Sequence, residues 1–191
     1  MKAWTLKKEE RVFKTPRMEG VKATYVAEDG ESFTHTIIKS QPSVAVIVRS
    51  EDGKIAFIKQ FRSTTGKCYM EIPAGLLNFD EELILEAAKR EVREETGFLT
   101  KDIEILVKGP SLLDPSKSNE DFGVAVATAC SRKSRCLDEI EHIDDEVIWI
   151  DEEEVFSRLQ NQMAIGEPFF EGLYLSGHTM YALLSYKFLK R

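Results

Sequence analysis

Cysteine is scarce in this chain of 191 residues, and the three cysteines, Cys68, Cys130 and Cys136, show no pair at metal-ligand spacing. An odd number of scattered cysteines is typical of reduced thiols rather than of a disulfide framework. The chain also lacks an apolar segment near its start and any run approaching the roughly 20 apolar residues that span a bilayer. We therefore expect a cytoplasmic protein without a secretory signal or a membrane-spanning segment.

Positive charge is in deficit, since 26 lysines and arginines face 33 aspartates and glutamates, for a formal net charge of -7. A surface that binds nucleic acid is normally basic, so this balance argues against a nucleic-acid partner. It does not argue against a small molecule that carries phosphate, because a bound metal ion can supply the positive charge. Hydrophobic residues make up 42% of the chain, which is enough for one domain with a proper core.

The first forty residues differ in pattern from the rest. Three short alternating runs predict two or three strands with a turn at Glu28-Asp29-Gly30-Glu31, and these runs are residues 11–14, 22–27 and 33–38. Residues 1–40 are therefore predicted to form an N-terminal β appendage, and residues 41–191 the main domain.

Strands and helices alternate along the main domain. The apolar run at residues 44–48 predicts a strand buried on both faces. Further strands are predicted at residues 55–61, 69–72, 103–107, 122–129 and 147–150, and helices at residues 80–96, 152–163 and 174–189. Gly97 stands where the first helix needs a C-terminal cap. This interleaving predicts an α/β or α+β fold with a mixed sheet.

Three glutamates near the end of the first predicted helix break a local rule. Spacings of three and four place Glu91, Glu94 and Glu95 on one helical face, where like charges repel. The carboxyl end of a helix also disfavours acids because of the macrodipole. A hard divalent cation such as Mg²⁺ reverses the sign of both effects, because it prefers oxygen ligands. The alternative interpretation of the three glutamates alone is a solvated charged face.

The flanking residues resemble the Nudix box. In that family the box is Gly, five residues, Glu, seven residues, then Arg-Glu-hydrophobic-x-Glu-Glu-x-Gly-hydrophobic, and residues 90–98 match its last nine positions. The first half departs from the pattern by one inserted residue. Gly75 to Glu81 has the family's gap of five, whereas Glu82 to Arg90 has its gap of seven. Glu81 and Glu82 therefore both stay candidates for the first glutamate of the box.

The resemblance implies an α/β/α sandwich with a mixed sheet and a Mg²⁺ site, with Mn²⁺ as the alternative ion. The implied metal ligands are Glu91 and Glu95, with Glu94 as a further ligand and the backbone carbonyl of Ala74 as another. Arg90 is expected to orient these glutamates, so Arg90 and Glu94 are candidates for a part in catalysis. The backbone at Gly75 and Leu76 is expected to approach a substrate phosphate, since glycine permits close contact.

Two features outside the box resemble the ADP-ribose pyrophosphatases of this family. The first is the spacing of Lys59-Gln60-Phe61-Arg62 from Glu71-Ile72-Pro73-Ala74-Gly75, in which the family's arginine contacts substrate phosphate. The second is the irregular loop that begins at Leu113 and ends at Glu120. Glu120 resembles the family's catalytic base or extra metal ligand, with Asp121 as the alternative. A loop of this length inside a compact domain is unusual unless it is functional.

This resemblance implies Mg²⁺-dependent hydrolysis of the pyrophosphate bond of ADP-ribose or a related nucleoside diphosphosugar, and a homodimer formed through the N-terminal strands. Phe13, Tyr25 and Phe33 are open candidates for stacking on an adenine. GDP-mannose, NADH and dinucleoside polyphosphates are alternative substrates. A non-catalytic module that senses a nucleotide is the alternative from another functional class, although such a module would be expected to lose box glutamates.

Overall fold

The computed structural model describes residues 2–78, 82–109, 114–132, 143 and 146–190. The chain divides into two compact units, each of which is described by itself. The first unit comprises Met1–Pro42 with Gly109–Phe122, and the second comprises Ser43–Lys108 with Gly123–Arg191.

The first unit contains a three-stranded antiparallel sheet in the order β1-β2-β3, and its strands are β1 (Trp4–Lys14), β2 (Met18–Ala27) and β3 (Ser32–Ser40). Gly30 has a φ of 86° in the turn between β2 and β3, a backbone conformation that glycine adopts without strain. Every residue of β1 is exposed, whereas Val21, Ala23 and Ala27 of β2 are buried. All three strands are longer than the runs predicted from sequence. In β1, charged residues interrupt the alternation of apolar and polar residues, so its first part was not predicted.

A second segment of the chain is hydrogen-bonded to β3 within the first unit. The backbone N–H of Ile38 donates to the carbonyl of Lys117 at 2.7 Å, and the N–H of Asn119 donates to the carbonyl of Ile38 at 3.2 Å. The side chain of Asn119 accepts from the N–H of Ser40 at 3.1 Å. Part of the predicted irregular loop is therefore held by an edge strand.

In its described residues, the second unit contains three helices and a mixed sheet. Its strands are β4 (Ser43–Arg49), β5 (Lys54–Arg62), β6 (Lys67–Glu71), β7 (Ala74–Leu76), β8 (Phe98–Val107), β9 (Phe122–Arg132), β10 (Ile148–Asp151) and β11 (Tyr174–Leu175). Its helices are α1 (Ile84–Thr96), α2 (Glu152–Ile165) and α3 (Gly177–Leu189). The sheet order is β11-β6-β5-β4-β9-β8, with β10 paired to β5 and β7 paired to β4. β11 runs parallel to β6, whereas β6 and β10 each pair antiparallel with β5, and β7 pairs antiparallel with β4.

Strand β4 lies at the centre of the core of this unit. Its first six residues are buried, so both faces of the strand are covered, as the sequence predicts. Val44, Val46 and Val48 share a cluster with Ala88 and Val92 of α1. Successive side chains of β4 point to opposite faces of the sheet. Helix α3 also packs against β4. These layers form the expected α/β/α sandwich with a mixed sheet.

Two predicted helix starts are wrong. Helix α1 begins at Ile84, after the N-cap Leu83, rather than at residue 80, and residues 79–81 lie outside the described residues. Helix α3 begins at Gly177 rather than at 174, because the Ser176 side chain accepts the backbone N–H of Thr179 and caps the helix. The predicted cap at Gly97 is confirmed, since Gly97 has a φ of 75° and its N–H donates to Arg93.

Within the described part of the chain, none of the helices has the length and apolar character that crossing a membrane requires.

Candidate active site

The buried face of α1 carries two of the predicted metal ligands. Glu91 is 4% exposed and Glu95 is 1% exposed, among neighbours that are mostly apolar. Because the two residues are four apart, their side chains lie one turn apart on the same face. A buried carboxylate is unfavourable unless it is paired or hydrogen-bonded, so the elements that cover this face have to provide partners.

Strand β7 provides the first partner. The backbone N–H of Ala74 donates to Oε2 of Glu95 at 3.0 Å. β7 is held in place by its antiparallel pairing with β4, in which Gly75 lies opposite Val44. A Cβ atom at position 75 would lie 2.1 Å from Oε1 of Glu91, so a side chain there would displace that carboxylate. The backbone at Gly75 therefore lies close to Glu91. The predicted approach of Gly75 to a substrate phosphate stays a prediction.

Arg90 provides the second partner and joins the loop after β7 to the helix. Its guanidinium donates to Glu91 at 2.6 Å, to Glu94 at 2.9 Å and to the carbonyl of Leu76 at 2.8 Å. It also donates to both carboxylate oxygens of Glu82, at 3.0 and 3.1 Å. These bonds to Glu82 are the main reason that the pKa of Arg90 lies above its ordinary value, and they lower the pKa of Glu82. Arg90 thus orients glutamates of the box, and it also anchors the loop at Leu76.

Glu82, one of the two candidates for the first glutamate of the box, is bound to Arg90. It also accepts the backbone N–H of Asn78 at 2.7 Å. Glu81 lies outside the described residues, so the choice between Glu81 and Glu82 stays open.

The donor set of this site fits a divalent cation in its chemistry. Three carboxylates, those of Glu82, Glu91 and Glu94, contact the single guanidinium of Arg90, so the cluster keeps an excess of negative charge. Carboxylate oxygens are the ligands that Mg²⁺ and Mn²⁺ prefer. Among the described residues, no three acidic, histidine or cysteine side chains already have the arrangement of a metal site. The assignment of Ala74, Glu91, Glu94 and Glu95 as metal ligands stays a prediction.

Arg62 is paired with a buried acid, Glu71, to which the sequence pattern assigned no role. Nε of Arg62 donates to Oε1 of Glu71 at 2.8 Å, and Nη2 donates to the second carboxylate oxygen. The Glu71 side chain is 2% exposed, whereas that of Arg62 is 42% exposed. Glu71 stands within the predicted motif, but only the pairing of β5 with β6 brings the two side chains together.

Glu120, the predicted base, belongs to the first unit. It lies on the segment held by β3, and its backbone N–H donates to the Ser118 hydroxyl at 3.0 Å. Its neighbour Asp121 places a carboxylate oxygen 1.9 Å from where a Cβ atom of Gly109 would lie. The choice between Glu120 and Asp121 as the base stays a prediction, and Leu113, where the loop motif begins, lies outside the described residues.

Two of the three aromatic candidates for adenine stacking lie together in the first unit. The rings of Tyr25 and Phe33 are stacked with centroids 5.3 Å apart, and Trp4 meets Phe33 edge to face at 4.9 Å. Phe13 instead lies over Gly20, where its ring leaves no room for a side chain. Tyr25 and Phe33 therefore form a small aromatic surface with Trp4, a residue that the sequence did not single out.

The chain shows similarity to known proteins at three levels. The NUDIX domain family matches residues 39–171. A methanol dehydrogenase activator from Bacillus methanolicus is 32% identical over 126 residues, which is 65% of this chain and 66% of that protein. An ADP-ribose pyrophosphatase from Bacillus subtilis (strain 168) is 33% identical over 118 residues, or 61% of this chain and 62% of that protein. The chain thus spans slightly less than two thirds of the length of these relatives.

A solved structure described as an ADP compounds hydrolase has the same fold. The superposition has a TM-score of 0.72 and covers 96% of this chain and 92% of the other, at 20% sequence identity. At this identity the likeness concerns the fold alone. The family match spans well over half of the chain and includes all the box residues from Gly75 to Phe98. The chain therefore belongs to the NUDIX domain family.

Proposed function

We propose that this chain is a Mg²⁺-dependent pyrophosphatase that hydrolyses ADP-ribose or a related nucleoside diphosphosugar to a nucleoside monophosphate and a sugar phosphate. The observation that carries the proposal is the pair of buried carboxylates of Glu91 and Glu95, one turn apart on α1 and adjacent to β7. A buried pair of acids on the core face of a helix costs stability and is retained where it holds a cation. The name of the Bacillus subtilis relative supports ADP-ribose as the substrate.

The residues proposed to hold the metal ion are Glu91, Glu95 and the carbonyl of Ala74, with Glu94 as a further ligand. When bound, Mg²⁺ acts as a Lewis acid that polarises phosphoryl oxygens and offsets developing negative charge. Mn²⁺ is the alternative ion, because it accepts the same oxygen donors.

The other residues have separate tasks in this proposal. Arg90 holds Glu91 and Glu94 in position, and its hydrogen bonds to both carboxylates support this role. Arg62 binds a substrate phosphate, and the backbone at Gly75 and Leu76 lies along the diphosphate.

Glu120 takes the proton of the attacking water in the proposed reaction. The water oxygen forms a bond to one phosphorus while the bond from that phosphorus to the bridging oxygen breaks, and the bridging oxygen leaves on the other phosphate. Asp121 replaces Glu120 in this role if the family position falls one residue later.

A homodimer through residues 1–40 is part of the proposal. All eleven residues of β1 are exposed, including the large side chains of Trp4, Leu6, Val12 and Phe13. An exposed edge strand with apolar side chains is a surface suited to pairing with another chain. Light scattering of the full chain and of a variant without residues 1–40 tests this, and a full chain of monomeric mass contradicts it. A cytoplasmic location and the absence of nucleic-acid partners stay predictions.

Product analysis tests the proposed activity directly. The chain is incubated with ADP-ribose and Mg²⁺, and the nucleotides are separated and identified. We expect AMP and ribose 5-phosphate in equal amounts, and no release when EDTA replaces Mg²⁺. A panel that adds GDP-mannose, NADH and dinucleoside polyphosphates distinguishes the alternative substrates. Tight binding of ADP-ribose without hydrolysis of any member of the panel would instead indicate a nucleotide-sensing module.

A further inference from the structure

Glu71 is a buried acid that the proposed reaction does not use. It ends strand β6 and is 2% exposed. Burying an ion pair loses hydration that the pair does not always recover, so well-packed apolar residues would often serve stability better at such a place. An acid retained in the core close to a candidate site therefore points to a function.

The place of Glu71 in the chain links it to the metal-binding end of the site. Only Ile72 and Pro73 separate it from Ala74, so the Cα atoms of Glu71 and Ala74 are at most about 11 Å apart. The backbone N–H of Ile72 donates to the buried hydroxyl of Thr179 at 3.2 Å, which holds this stretch against α3. Glu71 is thus fixed to the sheet on one side and to a helix through its neighbour on the other.

Arg62 is anchored from two directions. Its carbonyl accepts the backbone N–H of Thr65 at 3.1 Å and that of Gly66 at 2.9 Å, and also the Thr65 hydroxyl at 3.2 Å. Its guanidinium donates hydrogen bonds from Nε and Nη2 to the two carboxylate oxygens of Glu71. This paired geometry fixes the plane of the guanidinium as well as its position.

We infer that Glu71 is a positioning residue, whose buried carboxylate holds the Arg62 guanidinium in the orientation in which Arg62 receives a phosphate of the substrate. The inference rests on the proposed function, in which Arg62 contacts that phosphate. An arginine side chain that is already ordered loses less conformational freedom when it binds an anion, so the affinity for a diphosphate is higher. Glu71 acts only through Arg62 and does not touch the substrate.

The binding of α,β-methylene ADP-ribose, a diphosphate analogue with a bridge that cannot be hydrolysed, tests this by titration calorimetry with Mg²⁺ present. Glu71→Gln keeps the size of the side chain but removes its charge and one acceptor. We expect it to weaken binding about tenfold, as for the loss of one charge-assisted contact. Arg62→Ala is expected to weaken binding at least as much. The double variant is expected to bind no more weakly than Arg62→Ala alone, because residues that act through one another are not additive.

Glu154→Gln is the matched control, since it removes the partner of another arginine, Arg158, on helix α2. We expect it to leave the affinity for the analogue unchanged. Thermal unfolding of every variant shows whether it is folded at the titration temperature. Arg62→Ala leaves the buried carboxylate of Glu71 without its arginine and so risks misfolding. The double variant avoids this risk, because it removes that carboxylate together with the arginine.

Three outcomes overturn the inference. The first is a Glu71→Gln variant that binds the analogue as tightly as the unmodified protein while Arg62→Ala binds it weakly. The second is a double variant in which the two losses multiply, which would give Glu71 a role independent of Arg62. The third is lack of analogue binding by the unmodified protein. Failure of the proposed function alone is seen as a protein that binds the analogue, with the expected effects of the variants, but releases no AMP from ADP-ribose.

Discussion

The backbone N–H of Ala74 donates to Oε2 of Glu95 at 3.0 Å, across 21 positions of sequence. This hydrogen bond joins the strand after Pro73 to the last turn of α1. It stabilises a carboxylate that is 1% exposed, and it brings the two candidate metal-binding elements into contact.

Replacing Glu95 with Gln is expected to abolish most turnover and to leave the fold intact. The amide oxygen can still accept the N–H of Ala74, but the side chain no longer offers a charged ligand to a cation. We expect kcat for ADP-ribose to fall by about a hundredfold or more, as for loss of a principal electrostatic contact. Initial rates of AMP release check this. Glu86→Gln is the control, because Glu86 is exposed on the same helix and pairs only locally with Lys89. Full turnover by Glu95→Gln would refute the role of this residue.

Replacing Gly75 with Ala is expected to weaken metal binding. The new Cβ atom would lie 2.1 Å from Oε1 of Glu91 and would push that carboxylate away. We expect the affinity for Mn²⁺, measured by electron paramagnetic resonance, to fall about tenfold or more, as for disturbance of a ligand's position. Gly177→Ala is the control, since no described atom beyond its chain neighbours and its own helix backbone lies within 4 Å of a Cβ atom there. Equal Mn²⁺ affinity in both variants would mean that Glu91 is not a ligand.

Replacing Arg90 with Ala is expected to destabilise the folded protein. The change removes the guanidinium that pairs with Glu82 and Glu91. Their side chains are 15% and 5% exposed. We expect a loss of about 2–3 kcal/mol in the free energy of unfolding, between the values for exposed and buried ion pairs. Urea unfolding at low Mg²⁺ measures it. Arg93→Ala, at an exposed position of the same helix, is expected to lose far less, and similar losses in both variants would contradict the role of Arg90.

Acid is expected to weaken the anchor between Glu82 and Arg90. Hydrogen bonds from Arg90 hold the pKa of Glu82 below its ordinary value of 4.5 in the folded protein. The stabilisation is therefore complete well above pH 4.5, and it is lost as the pH falls below 4.5 through the folded-state pKa. In urea unfolding between pH 7 and pH 3, Glu82→Gln is expected to show a smaller decline in stability than the unmodified protein. Equal declines would show that Glu82 contributes nothing to the acid sensitivity.

The part of the site that depends on local spacing could be predicted from sequence. Helical periodicity alone places Glu91 and Glu95 on one face, and the structure shows that face to be buried. The C-cap at Gly97 and the central strand β4 follow from equally local signals.

Contacts between distant segments could not be predicted in this way. The pairing of Arg62 with Glu71 depends on the register of β5 against β6, which the sequence does not specify. Strand β7 has only three residues directly after a proline, and it is a strand because it pairs with β4. The contact of Glu82 with Arg90 could not be predicted either, since the spacings of Glu81 and of Glu82 both agree partly with the family pattern. The start of α1 was misplaced because its N-cap residue is Leu83, whose side chain cannot form a capping hydrogen bond.

The two ends of the loop between β7 and α1 are fastened by one side chain, because Arg90 binds the carbonyl of Leu76 and the carboxylate of Glu82. We expect a change of length between Asn78 and Glu82 to leave both contacts of Arg90 in place. A short tag or a reporter inserted there would then keep both anchors and the helix in register.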